Sequence, residues 1–440
     1  MNPVLPSTIE TVEENFSGRF HSLQEWLSWQ QKLHFTSIDL GLDRCRRVAD
    51  NMGLLSPSYR IITVAGTNGK GSCVMMLDMM LRRAGYRTGC YTSPHLVRYN
   101  ERIRVDGIEV DDDALCRSFS RIDHLRRDIS PTYFEFGTLA ALDIFNNAGL
   151  DIAILEVGLG GRLDAVNMMD ADVVLLCTID LDHIRWLGND RESIGYEKAG
   201  VFRPFHPAVC ADPNPPDRVV NHAAALGTDL YVSGRDFSYE FTGDTWTWHT
   251  GGCIQANLPR PDPFSDAQVQ NAAAVLKVLE LLAEDFPVAV EIIQGVLSEF
   301  RPAGRCQVVD NVVPIVFDVA HNPQAVRNLR NCLDKMPPAG STHMVVGFLN
   351  DKNYQEMLQI LSGCGDFWYL VTLADERRLD ASILMETLGE LGIAGNVWVF
   401  ENVVEAMRRS REQSQPGDRI VVTGSFITVG GAMSWLSEGS

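Results

Sequence analysis

IITVAGTNGKGS, residues 61–72, joins a short β-branched strand to a glycine-rich turn that carries a lysine and then a hydroxyl. A phosphate-binding loop needs glycines whose backbone N–H groups wrap a phosphate, with a lysine and a hydroxyl close by. The usual spacing fails here because Gly71 separates Lys70 from Ser72. Every ingredient is nevertheless present, so the segment predicts a phosphate-binding loop; the alternative is a tight turn with a solvated Lys70.

The segment after this turn has the pattern of an amphipathic helix. Val74, Leu77, Leu81 and Ala84 recur at helical spacing, and Gly85 ends the run. The N-terminus of such a helix offers free N–H groups and the positive end of its dipole to a phosphate. The sequence therefore predicts a strand, loop and helix that together hold an anion.

The composition is that of a globular protein without a nucleic-acid footprint. The chain has 440 residues, 45% hydrophobic and 22% charged, which favours two or three domains with buried cores. Its formal net charge is −19, and it has no dense stripe of Lys and Arg. An anionic ligand must therefore be held by local cations, loop amides and metal.

Targeting signals and cysteine clusters are missing from the sequence pattern. Residues 1–16, MNPVLPSTIETVEENF, have neither the basic start nor the apolar run of a signal peptide. No apolar run reaches membrane-spanning length, so we expect a cytoplasmic protein. Ten cysteines stand singly without a CxxC motif, which favours free thiols over disulfides or a zinc site.

The chain predicts two α/β domains. Strand-like and helix-like runs alternate over residues 61–210, a hairpin-like insertion spans residues 237–252, and a second alternation follows EFRPAGR, residues 299–305. We expect a P-loop-type domain with a parallel sheet over residues 1–302. A smaller Rossmann-like α/β domain should occupy residues 303–440.

Polar residues end two of the predicted strands. Glu156 closes DIAILE, and Asp182 and His183 follow VVLLCTIDL. The carboxyl ends of parallel strands meet at one edge of a sheet, and Mg²⁺ prefers oxygen ligands. Taken singly, Glu156 fits a turn cap as well, and a lone His is more often structural. With Ser72 or Ser93 they predict a site for one metal ion or two.

Further charged residues lie beyond these strands. Lys198 fits either a solvated pair with Glu197 or a place beside the metal, where its positive charge would be repelled. In the second domain, Asp318 and His321 follow an apolar strand, and Arg305 stands at the domain boundary. The two sets predict chemistry in a cleft between the domains.

Several motifs occur in an order that is typical of one family. They are AGTNGKGS, SPHLVRYNERIRV, TYFEFGTLAAL, ILEVGLGGRLDAVN, LDH followed by LG, EKAGVF, GR at 304–305, DVAHNP and TGSF. With them the chain resembles the folylpolyglutamate synthase and dihydrofolate synthase family, relatives of the Mur ligases. The resemblance runs from HFTSIDLGLDR to the last helix, and the family's loop has this extra-glycine spacing.

The resemblance implies ATP-dependent amide formation. A pteroate or folate carboxylate would attack the γ-phosphate of ATP, and the amino group of L-glutamate would displace phosphate from the acyl phosphate. Phosphoryl transfer of this kind depends on positioning and charge neutralisation. The TYFE segment favours a bifunctional enzyme that uses dihydropteroate and reduced folates; the alternative is tail extension alone. The implied cofactors are ATP and two Mg²⁺ ions, and the implied state is a monomer.

The resemblance also carries site residues over by position. The implied nucleotide contacts are Thr67, Asn68, Gly69, Lys70, Gly71, Ser72, Asn271, Arg305 and Asp318. The implied Mg²⁺ ligands are Ser72, Ser93, Glu156 and His183. The implied substrate contacts are Ser37, Ile38, Asp39, Leu40, Thr132, Tyr133, Phe134, Glu135, Arg162 and Asp164. The implied catalytic residues are Lys70, His183, His321 and Lys198, the last as a carbamate.

Three residues depart from the family pattern, and two other functions compete. Arg185 stands where many members have an acid, Tyr196 precedes EKAG, and Cys306 replaces an apolar residue. A Mur-type cell-wall ligase would need a further domain before the loop, where only about 60 residues stand, fewer than a typical domain. A regulatory P-loop NTPase would not need Arg305 and Asp318.

Overall fold

A computed structural model describes residues 18–261 and 265–438, so the expectation about residues 1–16 lies outside it. Two α/β domains occupy these ranges, and a cleft separates them. None of the helices within them has both the length and the apolar character needed to cross a membrane. The predicted fold class, two successive α/β domains, is confirmed.

The first domain is built on an eight-stranded sheet. Its strands are β1 Arg60–Ala65, β2 Thr88–Tyr91, β3 Ile103–Val105, β4 Ile108–Glu109, β5 Ile152–Glu156, β6 Val173–Leu176, β7 Pro207–Cys210 and β8 Asp229–Val232. Their order is β4-β3-β2-β5-β1-β6-β7-β8. Only the pairs β2–β3 and β3–β4 at one edge are antiparallel, so the sheet is largely parallel as predicted. β1 lies between β5 and β6, with Ile62 opposite Ile154 and Val173.

Helices cover both faces of this sheet. They are α1 Leu23–Leu33, α2 Asp43–Asn51, α3 Lys70–Arg83, α4 Asp112–Leu125, α5 Tyr133–Ala148, α6 Ile184–Leu187, α7 Arg191–Ala199, α8 Asp217–Leu226, α9 Asp266–Leu281 and α10 Val290–Glu299. One core lies under α3, α9 and α10, and the other lies under α1, α2, α4 and α5. Burial on both faces explains why β1 and β5 are continuous apolar runs.

The predicted hairpin insertion has a third strand. β9 Phe237–Thr242, β10 Thr245–Thr250 and β11 Cys253–Pro259 form a small antiparallel sheet. Trp248 is buried, and its indole N–H donates to the carbonyl of Ala273 on α9 at 3.1 Å. The insertion therefore braces the helix that packs against the phosphate-binding loop.

The second domain has a six-stranded sheet. Its strands are β12 Gln307–Val309, β13 Ile315–Asp318, β14 Thr342–Val346, β15 Phe367–Val371, β16 Val397–Phe400 and β17 Arg419–Thr423. Its helices are α11 Pro323–Lys335, α12 Tyr354–Leu361, α13 Ala381–Glu390, α14 Val403–Gln413 and α15 Phe426–Glu438. The strand order is β12-β13-β17-β14-β15-β16, and only β12 runs antiparallel.

The turn between β1 and α3 tolerates only glycine at its first position. Gly66 has φ +144°, and a Cβ added there would lie 2.6 Å from the Cβ of Cys177. The backbone approaches closely because the N–H of Cys177 donates to the carbonyl of Ala65 at 2.7 Å. β6 therefore holds the start of the loop in place.

The expectation that all cysteines are free thiols is wrong for one pair. Cys306 and Cys332 form a disulfide, with their Cα atoms 6.7 Å apart. They are 26 residues apart in sequence, and only the packing of α11 against the segment after Arg305 brings them together. The other eight cysteines are free.

The two domains touch through backbone as well as side chains. A Cβ added to Gly430 of α15 would lie 1.9 Å from the carbonyl oxygen of Leu96 in the first domain. Asn68 and Asn322 exchange side-chain hydrogen bonds of 3.0 and 3.1 Å across the cleft. These contacts fix the distance between the loop of the first domain and the second domain.

We predict that Gly430→Ala forces the domains apart. Its methyl group would meet the Leu96 backbone, which cannot move as a side-chain tip can, so we expect a loss of about 1–3 kcal/mol in the free energy of unfolding. Small-angle scattering should show a larger radius of gyration. Gly431→Ala is the matched control, because its methyl would lie at an ordinary 3.4 Å from Val403. Equal stability and compactness of the two variants would contradict the prediction.

Candidate active site

A cavity of about 1080 Å³ lies between the domains, and most of the predicted site residues line it. From the first domain these are Thr67, Asn68, Gly69, Lys70, Gly71, Ser72, Ser93, Tyr133, Glu156, His183, Lys198 and Asn271. From the second domain they are Arg305, Asp318 and His321. These residues come from nine separate segments of the chain and converge on one space, as expected for the carboxyl ends of parallel strands.

The lysine of the loop is folded back onto its own backbone. Lys70 Nζ donates to the carbonyl oxygens of Gly66 at 3.1 Å and Thr67 at 3.2 Å. These neutral acceptors are weaker partners for an ammonium group than phosphate oxygens would be. The Ser72 hydroxyl accepts a hydrogen bond from Gln268 of α9 at 3.2 Å, so α9 supports the first turn of α3.

Oxygen donors lie next to this helix start. Glu156 is buried, its Oε2 accepts the backbone N–H of Ser93 at 3.3 Å, and a Cβ on Gly71 would lie 3.7 Å from the same oxygen. Burial raises the pKa of Glu156, although Lys70 opposes the shift. Within the described ranges, no three His, Cys, Asp or Glu side chains are placed to cage a metal ion. The donor set suits Mg²⁺, which keeps waters and binds through one or two carboxylates plus substrate phosphates.

Lys198 is buried, and none of the carboxylates in the described part of the chain pairs with it. It is 5% exposed, and its Nζ donates to the carbonyl of Gly66 at 2.8 Å. Burial, with the nearby charge of Lys70, lowers the pKa of Lys198 to about 7. The alternative of a solvated pair with Glu197 is wrong, since Glu197 pairs with Arg162 at 2.9 Å.

Asp182 links the two domains at the far side of the cavity. Its carboxylate contacts Lys352 Nζ and accepts the side-chain N–H of Asn322 at 3.3 Å, both from the second domain. Burial opposes ionisation of Asp182, but His321 and Lys352 hold its pKa well below the usual range. The ion pair is buried on both sides, so loss of either partner would leave an uncompensated charge.

The two predicted histidines lie on either side of Asp182. Burial lowers the pKa of His183 to about 3, and Lys352 and Lys198 add to the shift, so this ring is neutral at physiological pH. His321 Nδ1 donates to the carbonyl of Val319 at 2.8 Å, which leaves Nε2 as an acceptor 3.6 Å from Asp182. His183 can therefore ligate through a free lone pair, and His321 can accept a proton at Nε2.

The second domain contributes a guanidinium and a carboxylate. Arg305 lies 5.4 Å from the ring centre of Phe426, and burial lowers its pKa although Asp318 opposes the shift. Asp318 accepts backbone N–H groups from Cys306 and Ala320, both at 2.8 Å. These bonds hold the carboxylate at the end of β13, where it faces the cavity.

Most of the predicted substrate segment does not line the cavity; Tyr133 alone of those positions does. Thr132 and Glu135 form the capping box of α5, and Glu135 also pairs with Arg44 at 3.1 Å. Arg44 pairs with Asp39 at 2.7 Å as well, which ties residues 37–40 to α5. The substrate roles of Ser37, Ile38, Asp39, Leu40, Thr132, Phe134 and Glu135 stay predictions.

Arg162 and Asp164 are also outside the cavity lining. The Arg162 guanidinium turns to Glu197, and Asp164 accepts the backbone N–H groups of Leu159 at 2.8 Å and Val166 at 3.0 Å. Burial raises the pKa of Asp164 to about 7, although these N–H groups oppose the shift. Asp164 thus fixes the glycine turn after β5, and a role for either residue toward substrate stays a prediction.

Several charged or polar residues of the cavity were not predicted from the sequence, among them Lys352, Gln268 and Arg102. Lys352 follows β14 in a loop, and Gln268 opens α9; single residues of these types carry no sequence signal. Arg102 lies in the quoted motif SPHLVRYNERIRV, where its place at the end of a short 3₁₀ turn, Tyr99–Arg102, could have marked it.

Comparison with known proteins shows similarity over nearly the whole chain. Residues 304–426 match the family model described as Mur ligase, glutamate ligase domain. The dihydrofolate synthase/folylpolyglutamate synthase of Escherichia coli (strain K12) is 42% identical over 412 residues, 93% of this chain and 94% of that one. The structure of E. coli FolC in complex with DHPP and ADP has a TM-score of 0.88 at 41% identity and covers 95% of this chain and 98% of that chain.

A second structure adds other ligands. It is a bifunctional folylpolyglutamate synthase/dihydrofolate synthase with Mn, AMPPNP and L-glutamate bound. Its TM-score is 0.87 at 42% identity, with 95% of this chain and 98% of that chain covered. Both structures match the two α/β domains described above.

We predict that Lys198→Met stabilises the protein in a pH-dependent way. In the folded chain the pKa of Lys198 is about 7, against 10.5 for an ordinary lysine, so between these values the unfolded chain binds more protons. The free energy of unfolding of the wild type therefore rises with pH in this window, by about 1.4 kcal/mol per pH unit. The advantage of Lys198→Met should be full below pH 7 and shrink toward pH 10.5.

The measurement is urea denaturation at several pH values in CO₂-free buffer. Lys32→Met replaces an exposed lysine at the end of α1 and serves as the control. A constant difference between Lys198→Met and wild type across this pH range would contradict the prediction.

Proposed function

The chain belongs to the dihydrofolate synthase/folylpolyglutamate synthase family, and from that membership we propose how its cleft forms an amide bond. It is an ATP-dependent carboxylate–amine ligase that joins L-glutamate to folates. ATP and a divalent metal ion are its cofactors. We propose that it is bifunctional, acting on dihydropteroate to give dihydrofolate and on reduced folates to extend the glutamate tail.

The observation that supports this proposal is the convergence of two kinds of groups on one cavity. The first domain supplies the glycine loop with Lys70, and the second supplies Arg305 and His321. A regulatory NTPase would need only the first set. A ligase needs both, because a phosphorylated acceptor and an incoming amine must meet.

In the first step, an acceptor carboxylate oxygen attacks the γ-phosphorus of ATP. The bond from phosphorus to the β,γ-bridging oxygen breaks, ADP leaves, and an acyl phosphate forms. Loop N–H groups from Gly69 to Ser72 and the Lys70 ammonium would bind the phosphates and offset the negative charge that builds up in the transition state. Mg²⁺, held by Ser72, Ser93, Glu156 and His183, would neutralise phosphate charge when bound.

In the second step, the amino group of L-glutamate attacks the acyl carbonyl carbon. The bond from carbon to the phosphate oxygen breaks, phosphate leaves, and the amine loses one proton as the amide forms. His321 Nε2 is the acceptor for that proton in our proposal, because Nδ1 is already committed to Val319 and Asp182 lies near enough to stabilise the imidazolium.

We further propose that the neutral Lys198 amine attacks the carbon of CO₂ and releases one proton to solvent, which gives a carbamate. A lysine reacts as the neutral amine, and a pKa of about 7 leaves much of Lys198 neutral at pH 7–8. A carbamate would replace a positive charge beside Lys70 by a negative one. Buried beside the loop, it would then attract both Lys70 and a divalent cation.

We place the domain boundary between residues 302 and 303, with the ATP-binding domain in residues 1–302 and the second ligase domain in residues 303–440. The enzyme acts as a cytoplasmic monomer in this proposal. Eight of the ten cysteines are free, as in a reducing compartment, and the Cys306–Cys332 pair is the exception. Size-exclusion chromatography at the 48.9 kDa of one chain would test the monomer.

The proposed function predicts which substrates release ADP. The measurement is ADP release with Mg²⁺-ATP while dihydropteroate, tetrahydrofolate and L-glutamate are omitted in turn, with products identified by mass. We expect full turnover only with L-glutamate and either pterin, since each step needs its own reactant. Turnover with L-glutamate and tetrahydrofolate, but not with L-glutamate and dihydropteroate, would mean that the enzyme only extends glutamate tails. ADP release in the absence of all three compounds would favour a regulatory NTPase.

The carbamate predicts a rescue experiment. Lys198→Ala should lose most activity, and a short carboxylate such as acetate should restore part of it by entering the space left by the side chain. Lys277→Ala is the control, because Lys277 is also buried but pairs with Glu280 outside the cavity and should not respond to acetate. No rescue at Lys198, together with an unmodified wild-type mass in bicarbonate buffer, would exclude the carbamate.

A further inference from the structure

Arg102 is a buried cation at the edge of the cavity. It ends the 3₁₀ turn Tyr99–Arg102, immediately before β3, and it is 9% exposed. Its side chain lines the cavity on the side of the first domain, together with Ser93, His95 and Tyr133.

The contacts of Arg102 involve only part of its guanidinium. Nε donates to His95 Nδ1 at 2.9 Å, and the guanidinium carbon lies 5.3 Å from the ring centre of Tyr99 and 5.7 Å from that of Tyr133. Within residues 18–261 and 265–438, no carboxylate pairs with Arg102, and Nη1 and Nη2 have no hydrogen-bond acceptor. The two terminal nitrogens are therefore the part of the side chain left for a ligand.

An arrangement of this kind is costly unless an anion completes it. A guanidinium stays charged at all physiological pH values, and a buried charge is normally paired. Arg44 of the same domain follows this rule, with Asp39 and Glu135 as its partners. Arg102 is a buried charge without a protein partner among the described residues, and it lies at the wall of a cavity. We therefore expect its partner to be an anionic group of a bound substrate.

The surroundings distinguish between the anions that the reaction supplies. The phosphates of ATP already have the glycine loop and Lys70, and Arg305 and His321 lie on the second domain. Arg102 instead packs on Tyr133, the one residue of the predicted substrate segment that reaches the cavity. Arg102 and Glu156 line the same cavity.

We propose that Arg102 binds the reactive carboxylate of the pteroate or folate acceptor through Nη1 and Nη2. The proposal rests on the proposed function and assigns a specificity residue within it. A guanidinium fork matches a carboxylate in two parallel hydrogen bonds, and so orients the acceptor for attack on phosphorus.

His95 is the positioning residue for this fork. Its Nδ1 accepts from Arg102, so the ring must be neutral with its proton on Nε2. His95 and the two tyrosine rings thus fix the orientation of a side chain that is otherwise flexible.

The test combines an acceptor analogue with a variant. Equilibrium binding is measured for dihydropteroate and for its analogue without the carboxyl group, on wild type and on Arg102→Gln. Because charge-assisted hydrogen bonds are strong, wild type should prefer dihydropteroate by about 10- to 100-fold, and Arg102→Gln should bind both compounds alike. Arg102→Lys should keep part of the preference, since it keeps the charge but not the fork.

Kinetics provide a second readout. Arg102→Gln should raise the KM for dihydropteroate and tetrahydrofolate and leave the KM for ATP and for L-glutamate unchanged. Arg98→Lys is the matched control: it lies on the same segment, is exposed, and pairs with Asp112 outside the cavity. Thermal unfolding of each variant checks that the fold around Tyr99 and Tyr133 is unchanged.

Each outcome decides the proposal. If Arg102→Gln raises only the KM for ATP, the partner of Arg102 is a phosphate of ATP. If it raises only the KM for L-glutamate, the partner is the incoming amino acid. If Arg102→Gln still prefers the acceptor that has a carboxyl group, Arg102 does not contact that group. All three overturn the proposal. If the wild type does not use L-glutamate, the proposed function is wrong. The binding comparison would still show whether Arg102 contacts the carboxylate of dihydropteroate.

Discussion

Two lysine side chains donate to one backbone carbonyl at the start of the phosphate-binding loop. Lys70 and Lys198 both reach the oxygen of Gly66, at 3.1 and 2.8 Å. This convergence requires Gly66 at φ +144°, packed against Cys177 where no side chain fits. Two ammonium groups so close lower the affinity of one of them for its proton, and together they attract an anion. The anion chemistry of the cleft depends on this geometry.

Both domains supply reactive groups to the cleft, and a few interdomain contacts hold the two domains together. The Asp182 carboxylate takes Lys352 and Asn322 from the second domain, and the backbone of Leu96 meets Gly430. These contacts are polar or backbone in kind, and the Leu96 side chain adds an apolar contact with the core of the second domain. Such an interface can open for substrates and still return to one geometry.

Four cationic side chains lie close together in the cavity, although the formal net charge of the chain is −19. Lys70, Lys198, Arg102 and Arg305 all line the cavity. Among the residues that the structure describes, no carboxylate forms an ion pair with any of the first three. Unpaired buried cations reduce the stability of the empty protein, and the anionic substrates that offset them recover that stability on binding. The unpaired cations thus lower the stability of the empty protein and increase the free energy of substrate binding.

The amino-acid sequence by itself determined β1, the glycine loop, α3 and the order of two α/β units, because these follow from periodicity and turn chemistry within a few residues. It also located Glu156, His183 and Asp318, since polar residues at strand ends have one common edge to face. Tertiary structure alone decided that Thr132 and Glu135 cap α5, that Arg162 turns to Glu197, that Cys306 meets Cys332, and that Lys352 and Arg102 enter the cavity. Those outcomes depend on partners distant in the chain, and local pattern carries no information about which distant group a side chain will meet.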